Sequence, residues 1–185
     1  MMKKRAALLI LTGACLFNTV PCFASQSAKV SVSSSKGAEY TTLPDAETLQ
    51  KDVGFGPKAP SALAGGYQFG EGRITESFDI DANGNETNRH KGISLKYKKS
   101  DNGSSKSVTL SAEPASGQSA SEKSTPIKYG EVTLYYSDIQ ANSVLWIDGD
   151  ICYILMDINK MVSKDELVAM SKGMIDSDAS SAAIK

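Results

Sequence analysis

Apolar residues recur along the chain with two different periods, and the period changes near residue 67. In "LPDAETLQKDVGF", Leu43, Ala46, Leu49 and Val53 stand at helical spacing, with Asp45 placed to cap the start and Gly54 to stop the end. This predicts a short N-terminal helix. From Tyr67 the spacing falls to two. Ile74, Phe78 and Ile80 share one parity and Tyr67 and Phe69 the other, so Gly70 and Gly72 are expected to mark a bulge that re-aims the strand. Ile93, Leu95 and Tyr97 define the next strand and Val108, Leu110 and Ala112 the one after, joined through an Asn102-Gly103 turn signal.

Residues 114–126, "PASGQSASEKSTP", carry Pro at both ends and no apolar anchor; they predict a mobile loop rather than a domain boundary, because neither flank has a complete core alone. Two or three strands follow in "IKYGEVTLYYSDI" and "SVLWI", then "ICYILMDI" after an Asp148-Gly149 corner. The last run is apolar on both parities, as a central strand covered on both faces would be. Ser163 and Glu166 form an S-x-x-E capping box with Val162 and Leu167 as its hydrophobic staple, and Leu167, Met170, Met174 and Ile175 fall on one helical face.

Together these patterns predict a single α+β domain over residues 43–176. It should be a curved antiparallel sheet of about six strands, with a short N-terminal helix and a C-terminal helix packed on one face. The Ser-rich residues 25–42 read as a tether and residues 177–185 as a flexible tail.

The first 24 residues belong to targeting rather than to the fold. Lys3, Lys4 and Arg5 precede the apolar "AALLILTGACLF", and Cys22 and Ala24 supply small residues before a cut after Ala24, the pattern of a secretory signal peptide. An alternative is a lipoprotein box, "TGAC", ending at Cys15, although Thr12 stands where such a box has Leu. Because the segment reads as cleavable, the protein is not expected to be transmembrane. The remaining 161 residues hold 17 basic and 21 acidic side chains, a formal charge of −4, and no basic patch that would point to nucleic acid. Cys152 is then the one cysteine left, so stability must come from packing rather than from a disulfide.

Candidate chemistry is thin. "DIDANGNETNRH", residues 79–90, begins like a calcium loop, with Asp79, Asp81 and Asn83 at alternate positions and Gly84 as the turn glycine. His90 and Glu86 occupy the places where that loop needs a bidentate carboxylate and an apolar residue, so a hairpin turn built on Asn83-Gly84 is the expected reading. "SSSK" at 33–36 and "SDN" at 100–102 match two penicillin-binding signatures, but K-T-G and G-x-S-x-G are both absent. A Cys152 nucleophile with His90 as its base would need an accessible thiol, and Cys152 lies in the most apolar strand. No motif for a cofactor is present. Trp146, Tyr136 and Tyr153 are the candidates to line a ligand groove, with cross-strand packing as the competing role.

Two segments resemble an uncharacterised bacterial family, domain of unknown function 4367. In "VLWIDGDICYILMDINKMVSKDELVAMSKGMI" the matching features are Trp146, Gly149, Tyr153, Ser163, Glu166 and Leu167; upstream, "GFGPKAPSALAGGY" supplies Pro60, Leu63, Gly66 and Tyr67. The resemblance implies an extracytoplasmic bacterial domain with a curved sheet like that of lipoprotein carriers, and it transfers no active site. The expected function is a non-catalytic binding or sensing module with a protein partner in the cell envelope. The alternative is a carrier enclosing an apolar ligand between sheet and helix; an enzyme is the third reading.

Overall fold

The computed structural model describes residues 28–33, 37–101, 103–116 and 118–182. The expected signal peptide, Cys15 and most of the S-x-x-K match lie outside them. The chain forms β1 (Ala28–Ser33), α1 (Ala46–Val53), β2 (Ala62–Leu63), β3 (Tyr67–Ile80), β4 (Glu86–Asp101), β5 (Ser104–Pro114), β6 (Thr125–Tyr129), β7 (Val132–Ser137), β8 (Asn142–Asp148), β9 (Ile151–Asp157) and α2 (Lys164–Ala182). Every strand pairing is antiparallel, and the curled sheet runs β1-β3-β4-β5-β9-β8-β7-β6, with β2 added beside β3. Two local meanders are joined where β9 returns to pair with β5, from Thr109 opposite Met156 to Pro114 opposite Ile151.

The α+β architecture is the expected one, but the sheet has more strands than the expected six. Gly130, at φ 56°, turns the chain in a two-residue loop between Tyr129 and Val132 and divides "IKYGEVTLYYSDI" into β6 and β7. β1 comes from the Ser-rich segment read as a tether: its backbone pairs with β3 from Ala28 opposite Ile80 to Ser33 opposite Thr75. Alternating Ser and Val satisfy such an edge without a large apolar side chain. At the other edge β6 carries Pro126. The C-terminal helix also runs beyond the expected limit at 176, to Ala182.

Gly70 makes the bulge that the parity change demanded. The β3–β4 register shifts between Phe69 and Glu71, so Ile74 turns to the same side as Tyr67 and Phe69, and all three pack on one core. That core lies on the concave face, where Tyr67, Ile93, Leu95, Tyr97, Leu110, Leu134, Val144, Trp146, Tyr153 and Leu155 meet Leu49 and Val53 of α1 and Leu167, Met170 and Met174 of α2. As its pattern predicted, β9 is central, between β5 and β8, with Cys152, Tyr153 and Leu155 buried.

Each helix is terminated as the sequence specifies. Asp45 accepts from Thr48 N at 2.7 Å, and Gly54 closes α1 in the left-handed region at φ 88°. Glu166 N donates to Ser163 Oγ at 3.3 Å while Ser163 N donates back to Glu166 Oε2 at 3.0 Å, a complete capping box. Val162 and Leu167 are fully buried beside it. Between the helices, residues 54–63 form a strap over the concave face: Lys58 N donates to Tyr153 Oη at 2.9 Å and Tyr97 Oη donates to Pro60 O at 2.8 Å.

Gly72 has no room for a side chain, since a Cβ would stand 2.8 Å from Leu95 Cδ2 and 3.2 Å from the Tyr40 ring. Gly72→Ala should cost about 1–3 kcal/mol by overpacking, read as a lower urea midpoint, whereas Gly56→Ala, with nothing within 4 Å, should change it little. The Ser163 backbone N–H, followed by the Ser163 hydroxyl and Lys106, holds the Glu166 carboxyl below its usual range. A lowered folded-state pKa gives stability that is present above the unfolded value, 4.5, and is lost as pH falls through the folded one. Ser163→Ala should therefore cost about 1 kcal/mol at pH 7, and Glu166→Ala should lose most of its effect at pH 3.

Candidate functional site

Side chains that alternate along the strands give the sheet a second, convex face without a helix on it. The register sets its rows. Arg73 (β3) neighbours Ser94 (β4); Glu71 neighbours Lys96, then Thr109 (β5), then Met156 (β9), then Ser143 (β8). All of these but Ser143, with Ser107 and the β9–α2 turn at Ile158 and Asn159, line a groove of about 350 Å³. Beside it, Ser121, Ser137, Ile139, Ser143, Ile154 and Met156 line a second hollow of about 360 Å³, so Met156 is the wall between the two.

The first groove is polar, lined by two acidic side chains, Glu71 and Asp157, and two basic ones, Arg73 and Lys96. Lys96 Nζ lies 3.5 Å from Glu71 Oε1. The Asp157 carboxylate accepts from Val162 N at 2.6 Å and Asn159 N at 3.0 Å, which fixes the turn into α2. Arg73 has no hydrogen bond or ion pair to another described residue, and the same is true of the hydroxyls of Ser94, Ser107 and Thr109.

A second polar cluster lies farther along the convex face. Glu113 Oε2 is 3.1 Å from both Ser77 Oγ and His90 Nε2, and Gln118 donates to Oε1 from the loop after β5. His90 Nδ1 faces the carbonyl of Asn88 at 2.8 Å, and a carbonyl can only accept, so this nitrogen carries a proton. Here the carboxylate, not the imidazole, is the middle member, and Ser77 is only 2% exposed. The cluster ties β3, β4, β5 and the following loop together rather than activating a nucleophile. Cys152 is buried on the same face, opposite Glu113, as expected of a thiol in an apolar strand.

The residues singled out in the sequence lie elsewhere. Trp146 and Tyr153 are fully buried on the concave side, their rings stacked with centroids 5.2 Å apart and 13° between planes. They are core and strap anchor, not the lining of a groove. Tyr136 sits on the same side under Lys164, whose Nζ is 5.0 Å from the ring centre, and donates to Asn142 Oδ1 at 3.3 Å.

Asp81 accepts from Asn83 N and Asn85 N, each at 2.8 Å, and the Asn85 bonds, followed by those from Asn83 and Gly84, hold its carboxyl below the usual range. Asp79 accepts from Asn88 Nδ2 at 2.8 Å, and Gly84 has φ 84°. The calcium-like string is thus a hairpin turn whose carboxylates cap backbone and amide groups. Among the described residues no three His, Cys, Asp or Glu side chains form a group able to hold a metal ion.

Arg73, Ser94, Ser107 and Thr109 escaped notice in the sequence because they are common residues on three strands. Their one signal is polarity at alternate positions opposite the apolar Leu95, Val108 and Leu110, visible only after the strands are placed in register. Tyr153 as a packing and strap residue is directly testable. Tyr153→Phe removes the acceptor for Lys58 N and should lower stability by about 1 kcal/mol in urea unfolding. A groove-lining tyrosine would leave the midpoint unchanged. Comparison with protein-family models, with curated proteins and with solved structures returned no significant match.

Proposed function

We propose that this chain is a non-catalytic binding module of the cell envelope, exported by its first 24 residues and contacting a protein partner through the convex face of its sheet. The observation that carries this reading is where open space and exposed apolar surface lie. Beneath α2, Pro60, Leu63, Met170, Gly173 and Met174 leave only about 170 Å³, below the roughly 300 Å³ at which ligand pockets begin. Among the described residues, the two larger hollows lie on the other face. A filled interior supports contact at the surface over the carrier reading, in which an apolar ligand would be enclosed.

Three of the five exposed large apolar side chains among the described residues lie in the two turns at one end of the sheet, Val32 and Ile147 being elsewhere. Ile158 is 70% exposed, Ile139 54% and Met161 45%. Lys160 joins their two turns, donating to Asp138 O at 2.6 Å and to Ile139 O. An apolar centre beside polar grooves has the make-up of a protein contact surface. No described helix is long and apolar enough to cross a membrane. The resemblance to the extracytoplasmic family in the Trp146 and Ser163 segments points to the same compartment.

A photo-crosslinking side chain at Ile158, compared with one at exposed Ala169 on α2, tests the reading in the source cells. Crosslinking to one envelope protein from position 158 and not from 169 is the expected result. Equal crosslinking from both positions, or none, would remove the convex face as the contact surface. Intact mass on the same purified protein should begin at Ser25; a diacylglyceryl mass on Cys15 would replace free export with lipid anchoring, and a non-covalent apolar adduct would restore the carrier.

A further inference from the structure

The polar groove calls for a ligand of its own, smaller than a protein. Its volume of about 350 Å³ is at the lower end for small-molecule sites, which sets the size of the occupant near one sugar residue. The floor is rigid because it consists of paired strands. Ser94 stands beside Arg73, and Thr109 beside Lys96, with side chains roughly 5 Å apart; Ser107 is two residues from Thr109, roughly 7 Å along β5. These three hydroxyls each donate and accept, so together they match a body bearing several hydroxyl groups.

Charge decides what else the occupant carries. Glu71 neutralises Lys96, and the Asp157 carboxylate, still negative, is buried and turned to the backbone N–H groups of Val162 and Asn159, so the guanidinium of Arg73 is the charge placed to meet an occupant. A planar guanidinium suits a carboxylate, which it can hold through two parallel hydrogen bonds. A phosphate dianion would call on a second cation, and Lys96 is already engaged. Met156 and Ile158 form an apolar wall against which the C–H face of a sugar ring can lie.

We infer that the groove between Arg73 and Ile158 binds a monosaccharide-sized hydroxylated carboxylate of the uronic acid class, with the carboxylate on Arg73 and hydroxyls on Ser94, Ser107 and Thr109. The inference rests on the reading of the convex face as the binding face, and it adds a small acidic ligand to the protein contact.

Titration of the ¹⁵N-labelled exported protein with glucuronate, glucose and inorganic phosphate tests it. Glucuronate should move the amide signals of residues 71–73, 94–96 and 107–109, with glucose at least tenfold weaker and phosphate unable to displace it at equal concentration. Arg73→Gln should weaken glucuronate at least tenfold with the rest of the spectrum unchanged, and Thr109→Val should weaken it while leaving the preference over glucose intact. Equal affinity for glucose and glucuronate, displacement by phosphate at equal concentration, or no movement of those amides would overturn the assignment. Position-specific crosslinking from Ile158 that persists after such a failure removes the acidic ligand alone and leaves the protein-binding reading standing.

Discussion

The pairing of β5 with β9 is the constraint on which the rest of the structure depends. Most other ladders join strands close in sequence; β1–β3 closes a comparable span, from Ala28 to Ile80, but only adds an edge strand, whereas β5–β9 brings Thr109 to Met156 and Pro114 to Ile151 and so joins the two halves of the sheet. Closing it spans the loop after β5 and the whole β6–β8 meander, an entropic cost that a local hairpin does not carry. What offsets the cost is the joining of two incomplete cores. Leu110 meets Leu155, and Trp146 stacks on Tyr153 in the row that begins at Ala112, so the apolar face of one meander is completed by the other.

That join also explains why the helices and strap lie on one side. With β9 in the middle of the sheet, Tyr153 presents its hydroxyl to the segment between α1 and β2, and Tyr97 does the same from β4. The strap is thus fixed to both meanders, and Lys58 extends it to Asp148 at 2.5 Å. Burial places the Tyr97 hydroxyl in apolar surroundings and raises its pKa, which keeps it a neutral donor to Pro60. The concave face is thereby filled with side chains, and the convex face is left to polar groups and short turns.

Legibility in the sequence followed the range of the interactions. Asp45, Gly54, Ser163 with Glu166, and the Gly70 bulge were readable because each is decided within a few residues. β1 was not, since a Ser-Val alternation has too little apolar character to announce a strand and pairs only because β3 offers an open edge. The boundary between β6 and β7 depended on one glycine with positive φ inside a run that otherwise reads as continuous. The aromatic residues misled for a related reason: Trp146, Tyr153 and Tyr136 have the chemistry of a binding groove, and only the register shows that two of them are the centre of a core. Conversely, the groove is made of serines, a threonine and an arginine whose adjacency is a property of pairing alone.

Charge on the convex face is partitioned, among the described residues, between groups the fold uses and one it does not pair. Glu113 is held by Ser77, His90 and Gln118, and Glu71 by Lys96, so both carboxylates are committed to stabilising contacts. A general base must be within reach of a substrate proton with a lone pair to spare, and neither is placed that way. Arg73 is in the opposite situation, a permanent cation at the edge of a groove with hydroxyl neighbours and no carboxylate partner among the described residues. On the proposed reading, its placement beside three hydroxyls and an apolar wall is what would make the groove selective, and that arrangement is held by paired strands rather than by a loop.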